Sequence, residues 1–148
     1  MKAITVLIIG LVAVGCVSTT QIVPLPTGEI SAPNNGMSRI IVYRLSGIAG
    51  GGIGFKIILN GQYIGELGPN GFLYWDTEPG FKTLEVRFDA AGASGSGWKQ
   101  FHSKSNGLTV LETSLVNRGL FDLVAPKIRI LSGAEKEKLL SELKRRKK

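Results

Sequence analysis

From residue 39 to residue 131 the chain runs in short apolar stretches, many of them alternating with polar positions, and turn residues interrupt them at close intervals. The segment 39–45 (RIIVYRL) is rich in β-branched and aromatic residues. In 53–59, Ile53, Phe55, Ile57 and Leu59 alternate with Gly54, Lys56 and Ile58, the period of two that belongs to a strand. Asn60-Gly61 follows. Both residues tolerate the positive φ of a type I′ hairpin turn, so 63–67 is predicted as the return strand. Gly68-Pro69-Asn70-Gly71 and Glu78-Pro79-Gly80 are further turns, on either side of a strand over 72–75. The clearest alternation lies in 81–89, with Leu84, Val86 and Phe88 on one side and Thr83, Glu85, Arg87 and Asp89 on the other. That is one buried face and one wet face. The Gly/Ser stretch 90–97 reads as a loop, and 98–103, 108–116, 120–124 and 127–131 complete eight or nine strands. Strands this short and frequent predict a mostly β protein built as a single antiparallel β-sandwich. No repeated barrel-corner pattern is visible, which favours the sandwich over a small barrel.

The pattern changes after residue 131. Leu139, Leu140 and Leu143 fall at helical spacing, and Ser132 with Glu135 fits a capping box. Glu135 and Glu137 lie early and Lys144 to Lys148 late, which suits the helix dipole. Residues 132–148 are therefore predicted as a basic C-terminal α-helix. About 15 residues are marginal as an isolated helix, so the leucine stripe must dock on the domain or on a partner.

At the other end, Lys2 precedes an apolar run over 3–15. The run falls short of the roughly 20 residues that span a bilayer and has the length of a secretory signal core. It ends in Ala13-Val14-Gly15-Cys16, which resembles the lipobox of bacterial lipoproteins, with Ala13 where Leu is commoner. The resemblance implies a signal peptide over 1–15, cleavage between Gly15 and Cys16, lipidation of the Cys16 thiol and acylation of the new amino group. Two or more acyl chains hold a protein on a membrane where one holds it only marginally. Val17, not Asp, follows the cysteine. By the same resemblance that favours an outer-membrane anchor facing the periplasm. The competing readings are an ordinary secretory signal with a chance cysteine, and an uncleaved anchor, which the short run disfavours. Residues 16–38 carry Pro24, Pro26 and Pro33 and no hydrophobic period, so they read as the lipidated cysteine and a linker. Such a flexible chain would reach roughly 25 Å on average. An edge strand at 21–23 is the alternative.

With 43% hydrophobic and 20% charged residues in 148, the chain is not disordered by composition, and 39–131 holds one domain. The single Cys excludes an internal disulfide framework and a cysteine-rich zinc site, and the single His removes arrangements that need two. No cofactor or metal is expected. The glycine run 46–54 lacks the Gly-Lys-Ser/Thr ending of a phosphate loop and precedes a strand rather than a helix, so it reads as an inter-strand connection. His102 has Ser103 and Ser105 close in sequence, and Asp89 or Asp122 could approach in the fold. No nucleophile-elbow sequence accompanies them, and no enzyme is expected.

The net charge of +7 is concentrated at one end, with seven basic against three acidic residues from 135 on and ten against eight in 17–134. Lys144, Arg145, Arg146, Lys147 and Lys148 read either as a solvated helix end or as a contact to anionic lipid headgroups, lipopolysaccharide or an acidic partner. Near an anionic surface each charge is worth about 1 kcal/mol. Export removes the protein from nucleic acid. Tyr74, Trp75 and Trp98 are candidates for ligand stacking, with core packing as the competing role. Phe72 to Trp75 are four consecutive apolar residues and cannot share one strand face.

The strand Ile41-Val42-Tyr43-Arg44, the hairpin from Leu59 to Leu67 around Asn60-Gly61, and the Pro79-Gly80 turn before the Leu84 strand together resemble the DUF2846 group of small bacterial lipoproteins. The resemblance covers 39 to about 124. The glycine-rich loop and the basic helix depart from the family pattern, and its sandwich turns are shared with PEGA-like modules. It implies an Ig-like or PEGA-like domain, lipid-anchored and periplasmic, with no catalytic residues to carry over. The expected function is a non-enzymatic module that binds another envelope component, a protein first. The alternatives are a small-molecule or glycan binder with a cleft lined by Tyr74, Trp75 or Trp98, and, last, an envelope hydrolase using His102.

Overall fold

In the computed structural model the described residues are 33–45, 53–90, 93–117 and 124–145. They form eight strands followed by one helix. The strands are β1 (Ser38–Arg44), β2 (Phe55–Leu59), β3 (Gln62–Leu67), β4 (Phe72–Thr77), β5 (Gly80–Ala90), β6 (Ala93–Ser103), β7 (Leu108–Asn117) and β8 (Val124–Leu131), and the helix is α1 (Gly133–Arg145). Two four-stranded sheets, in the orders β4-β1-β7-β8 and β3-β2-β5-β6, face each other as a β-sandwich.

The alternation read from the sequence becomes the inner layer. Ile40, Val42, Trp75 and Leu111 from one sheet meet Phe55, Ile57, Leu59, Leu84, Val86, Phe88 and Phe101 from the other, all buried. The Asn60-Gly61 turn forms as predicted, with φ of 49° and 81°. Asn60 also joins the hairpin to its neighbour. Its side-chain Oδ1 accepts from the Thr83 amide at 2.8 Å, and its own amide donates to the Thr83 carbonyl at 2.9 Å.

The sandwich is not wholly antiparallel. β1 pairs with β4 antiparallel but with β7 parallel, Arg39 to Leu108 through Arg44 to Thr113. The chain builds the whole second sheet between β1 and β7, and that long excursion allows it to return in the same direction. The stretch 90–97 is not a loop but mostly strand. All of Ala93–Ser103 is strand, and it pairs with every residue of β5 from Gly80 to Ala90. Small residues read as loop from sequence because nothing apolar marks them. Their smallness is used for close approach: a Cβ on Gly97 would lie 2.3 Å from the Pro126 carbonyl oxygen of β8. The two sheets close on each other there, and Pro126 has no amide to leave unpaired on that edge. The predicted strand 127–131 lies within β8, and of the predicted strand 120–124 only Val124 is described, as the first residue of β8; residues 118–123 lie outside the described set.

The last residues assigned to the linker belong to the fold. The Met37 amide donates to the Asn34 carbonyl, and the Asn106 amide donates to the Met37 carbonyl at 2.7 Å. β1 then starts at Ser38, which is fully buried. The lipobox residues Ala13 to Cys16 and the linker up to residue 32 lie outside the described residues. Among the described residues no helix is long and apolar enough to cross a membrane.

Candidate binding face

Each sheet has an outer face, and the two are finished differently. On the β4-β1-β7-β8 sheet the outward positions include an apolar layer of Ile41, Tyr43, Phe72, Tyr74, Leu108, Val110 and Leu131. α1 lies over them with Leu139, Leu140 and Leu143, of which Leu143 is 2% exposed. Arg129 of β8 ties the helix start to the sheet, with Nη1 2.8 Å from Glu135 and Nη2 3.1 Å from Glu112 of β7. The two carboxylates raise the guanidinium's pKa, Glu135 most. Lys136 Nζ donates to the Leu108 carbonyl at 2.8 Å. Glu135 is thus engaged by Arg129 across the turn, and no Ser132–Glu135 capping bond forms among the described residues. Beside the helix, Arg39 pairs with Asp76 of β4 through Nε at 2.7 Å and Nη2 at 2.9 Å, and its guanidinium sits 5.3 Å from the Tyr74 ring. The Arg39 hydrogen bonds hold the Asp76 carboxyl below its ordinary range.

The β3-β2-β5-β6 sheet has no such cover among the described residues. Its outward side chains form cross-strand rows set by the register. One row is Tyr63, Ile58, Glu85 and Trp98; the next is Glu66, Lys56, Arg87 and Ser96; a third pair is Phe81 and His102. Trp98 is 71% exposed, Phe81 84% and Tyr63 55%. Phe81 and His102 meet edge to face at 5.0 Å. Arg87 grips Glu85 on the same strand through two bonds of 2.6 and 3.1 Å, which raises the guanidinium's pKa. Beyond β2, the long β5–β6 hairpin and the row of Lys56 and Arg87 border an open concavity of about 500 Å³, lined also by Glu85, Asp89, Ser94 and Ser96.

The three aromatic residues singled out from the sequence do not meet. Trp75 is in the core between the sheets, its Nε1–H buried without an acceptor among the described residues. Tyr74 points the other way from the same strand, into the layer under α1. Trp98 alone stands on the uncovered face, so no cleft is shared by Tyr74, Trp75 and Trp98. His102 is separated from both serines. Ser103 is buried on the opposite face of β6, where its Oγ donates to the Gly80 carbonyl, and Ser105 donates to the Gly36 carbonyl. Asp122 is outside the described residues. In the basic tail, Arg145 is exposed at the helix end, Lys144 is helical, and Arg146, Lys147 and Lys148 lie outside the described residues. Among the described residues no group of three or more His, Cys, Asp or Glu is gathered in metal-binding geometry.

Sequence reasoning missed two features that the parity of the strands contained. Phe81 and Tyr63 share the outward parity of Glu85 and Ile58 and so belong to the Trp98 face. Arg44 shares the inward parity of Ile40 and Val42. It is 3% exposed, 3.8 Å from the Phe55 ring, and donates to the Ile53 carbonyl and, at 3.2 Å, to that of Leu67. Burial lowers its pKa.

No family model matches the chain, and a search of curated proteins finds no significant match.

Proposed function

We propose that the protein is a lipid-anchored, non-enzymatic module of the bacterial cell envelope that binds another envelope component through the outer face of the β3-β2-β5-β6 sheet. The observation that carries the reading is the unequal finish of the two outer faces. One apolar face is covered by the chain's own helix, while Trp98, Phe81 and Tyr63 stand in solvent on the other. Large aromatic side chains on an exposed face are typical anchors of a recognition surface. The anchor follows from the lipobox resemblance at Cys16, and Val17 after it favours the outer membrane, with the domain in the periplasm. The docking of Leu139 and Leu143 on the chain's own sheet leaves the helix's basic end, rather than its leucine stripe, for contact with an anionic surface or partner.

Two measurements test the reading. Labelled palmitate is expected in the wild type and not in Cys16→Ser, which should accumulate as soluble or unprocessed protein. A photoreactive residue in place of exposed Gln100, beside Trp98, should cross-link an envelope component in cells, whereas one in place of exposed Lys138 on α1 should not. Equal capture from both positions would defeat the assignment of the face.

A further inference from the structure

We propose that the component bound by this face is a neutral polysaccharide, with one sugar ring stacked on Trp98 and its hydroxyls held by the Arg87–Glu85 pair. This rests on the reading of the face as a binding surface and names its ligand class.

Three observations converge. First, the rings are islands. Trp98 and His102 are four residues apart on one strand, about 13 Å, and Tyr63 is three strands from Trp98, about 14 Å. Ile58 and Glu85 stand between Tyr63 and Trp98, and Gln100 with Thr83 beside it between Trp98 and His102, so the rings are separated by polar groups with Ile58 as the one apolar neighbour rather than joined in one apolar patch. Rings spaced among polar groups suit an extended ligand that is itself apolar on its ring faces and polar at its rim, as a pyranose chain is.

Second, Glu85 lies directly across from Trp98 in the β5–β6 register, and Arg87 holds it by two bonds of 2.6 and 3.1 Å. The guanidinium keeps N–H donors to spare and the carboxylate keeps acceptor lone pairs. A fixed donor and acceptor side by side match neighbouring sugar hydroxyls, each of which donates and accepts. Third, the charge is balanced. The concavity, which reaches Trp98's row at Glu85 and Ile58, sets Lys56 and Arg87 against Glu85 and Asp89, with Ser94 and Ser96 as neutral hydroxyls. A strongly charged ligand would meet a like charge wherever it lay, while an uncharged polyhydroxylated one meets partners of both kinds. The volume of about 500 Å³ is within the usual range of small-molecule sites.

The test uses the full mature protein in detergent, titrated with hexamers of N-acetylglucosamine and of glucose. Calorimetry should show saturable binding of at least one hexamer, with a shift in tryptophan emission, because Trp98 is exposed while Trp75 is 3% exposed and shielded. Trp98→Ala should abolish the heat signal and Arg87→Ala should weaken binding at least tenfold. Both variants should keep the parent's unfolding midpoint. No binding of either hexamer at millimolar concentration, or binding unaffected by Trp98→Ala, overturns the proposal. If the hexamers fail while a photoreactive residue at 100 captures a protein in cells, the sugar assignment falls and the binding face stands. If neither a hexamer nor any cellular component is bound there, both fall.

Discussion

The two sheets of this sandwich share one core but treat their outer faces in opposite ways. The β4-β1-β7-β8 sheet carries apolar side chains on both sides, so β1 reads as a nearly continuous buried run from Ser38 to Arg44. In the β3-β2-β5-β6 sheet the central strand β5 alternates, buried at Leu84, Val86 and Phe88 and more exposed between. A face that is apolar for folding must be covered, and α1 covers it. A face that is polar between isolated rings needs no cover for stability. Its aromatic residues therefore contribute little to the fold and remain available for binding. Apolar side chains on the covered face hold the helix to the sheet, those on the open face do not, and substitutions should separate the two.

The largest effects are expected under the helix. Leu143→Ala or Leu139→Ala removes buried volume from the layer with Ile41, Tyr43 and Val110 and should cost about 2–5 kcal/mol each. Urea denaturation of the full chain checks this, and a parent-like midpoint for Leu143→Ala would show that the helix is not part of the folded core. Next is the seam between the sheets. Gly97→Val must displace the Pro126 backbone and should destabilise by about 1–3 kcal/mol, while Ser96→Val, on the outer face, should leave the thermal midpoint nearly unchanged.

A smaller loss, about 1–2 kcal/mol, is expected for Asp76→Asn, which breaks the paired bonds with Arg39 beside the helix. This one depends on pH. Asp76 is held below its ordinary value of 3.8 in the folded state, so the unfolded chain takes up the proton first as pH falls. The contribution is complete above that ordinary value and is lost as pH falls through the lower folded one. The stability gap between wild type and Asp76→Asn should hold steady from pH 7 to about 5 and shrink below, as read by denaturation at a series of pH values. The smallest effects belong to the uncovered face. Trp98→Ala and Phe81→Ala should each change stability by less than about 0.5 kcal/mol. A large loss in either would mean that the ring packs in the fold and that the face is covered after all.

Much of the architecture was legible from residue order. The strand at 81–89, the Asn60-Gly61 hairpin and the leucine spacing of the helix each follow from a local period or a local turn preference, and each appears as expected. The strand at Ala93–Gly97 was not legible, because its reason is the Pro126 backbone of another strand, which no local pattern of Gly and Ser announces. The candidate site was legible only in part. Trp98 could be named from sequence, but the sequence held Tyr74 and Trp75 equally eligible. They were separated by strand parity, which puts one in the core and the other beneath the helix.

Order along the chain thus determined which segments form strands and which side chains share a strand face, because both depend on neighbours within a few residues. Only the packing of the two sheets and the landing place of α1 decided which outward face is sealed and which is open. Residues from β2, β3, β5 and β6 become a surface only when their strands are set side by side. The parallel joining of β1 to β7 was likewise settled by long-range packing, since it links segments some 70 residues apart, as in the 3.2 Å bond from Thr113 Oγ1 to the Tyr43 carbonyl.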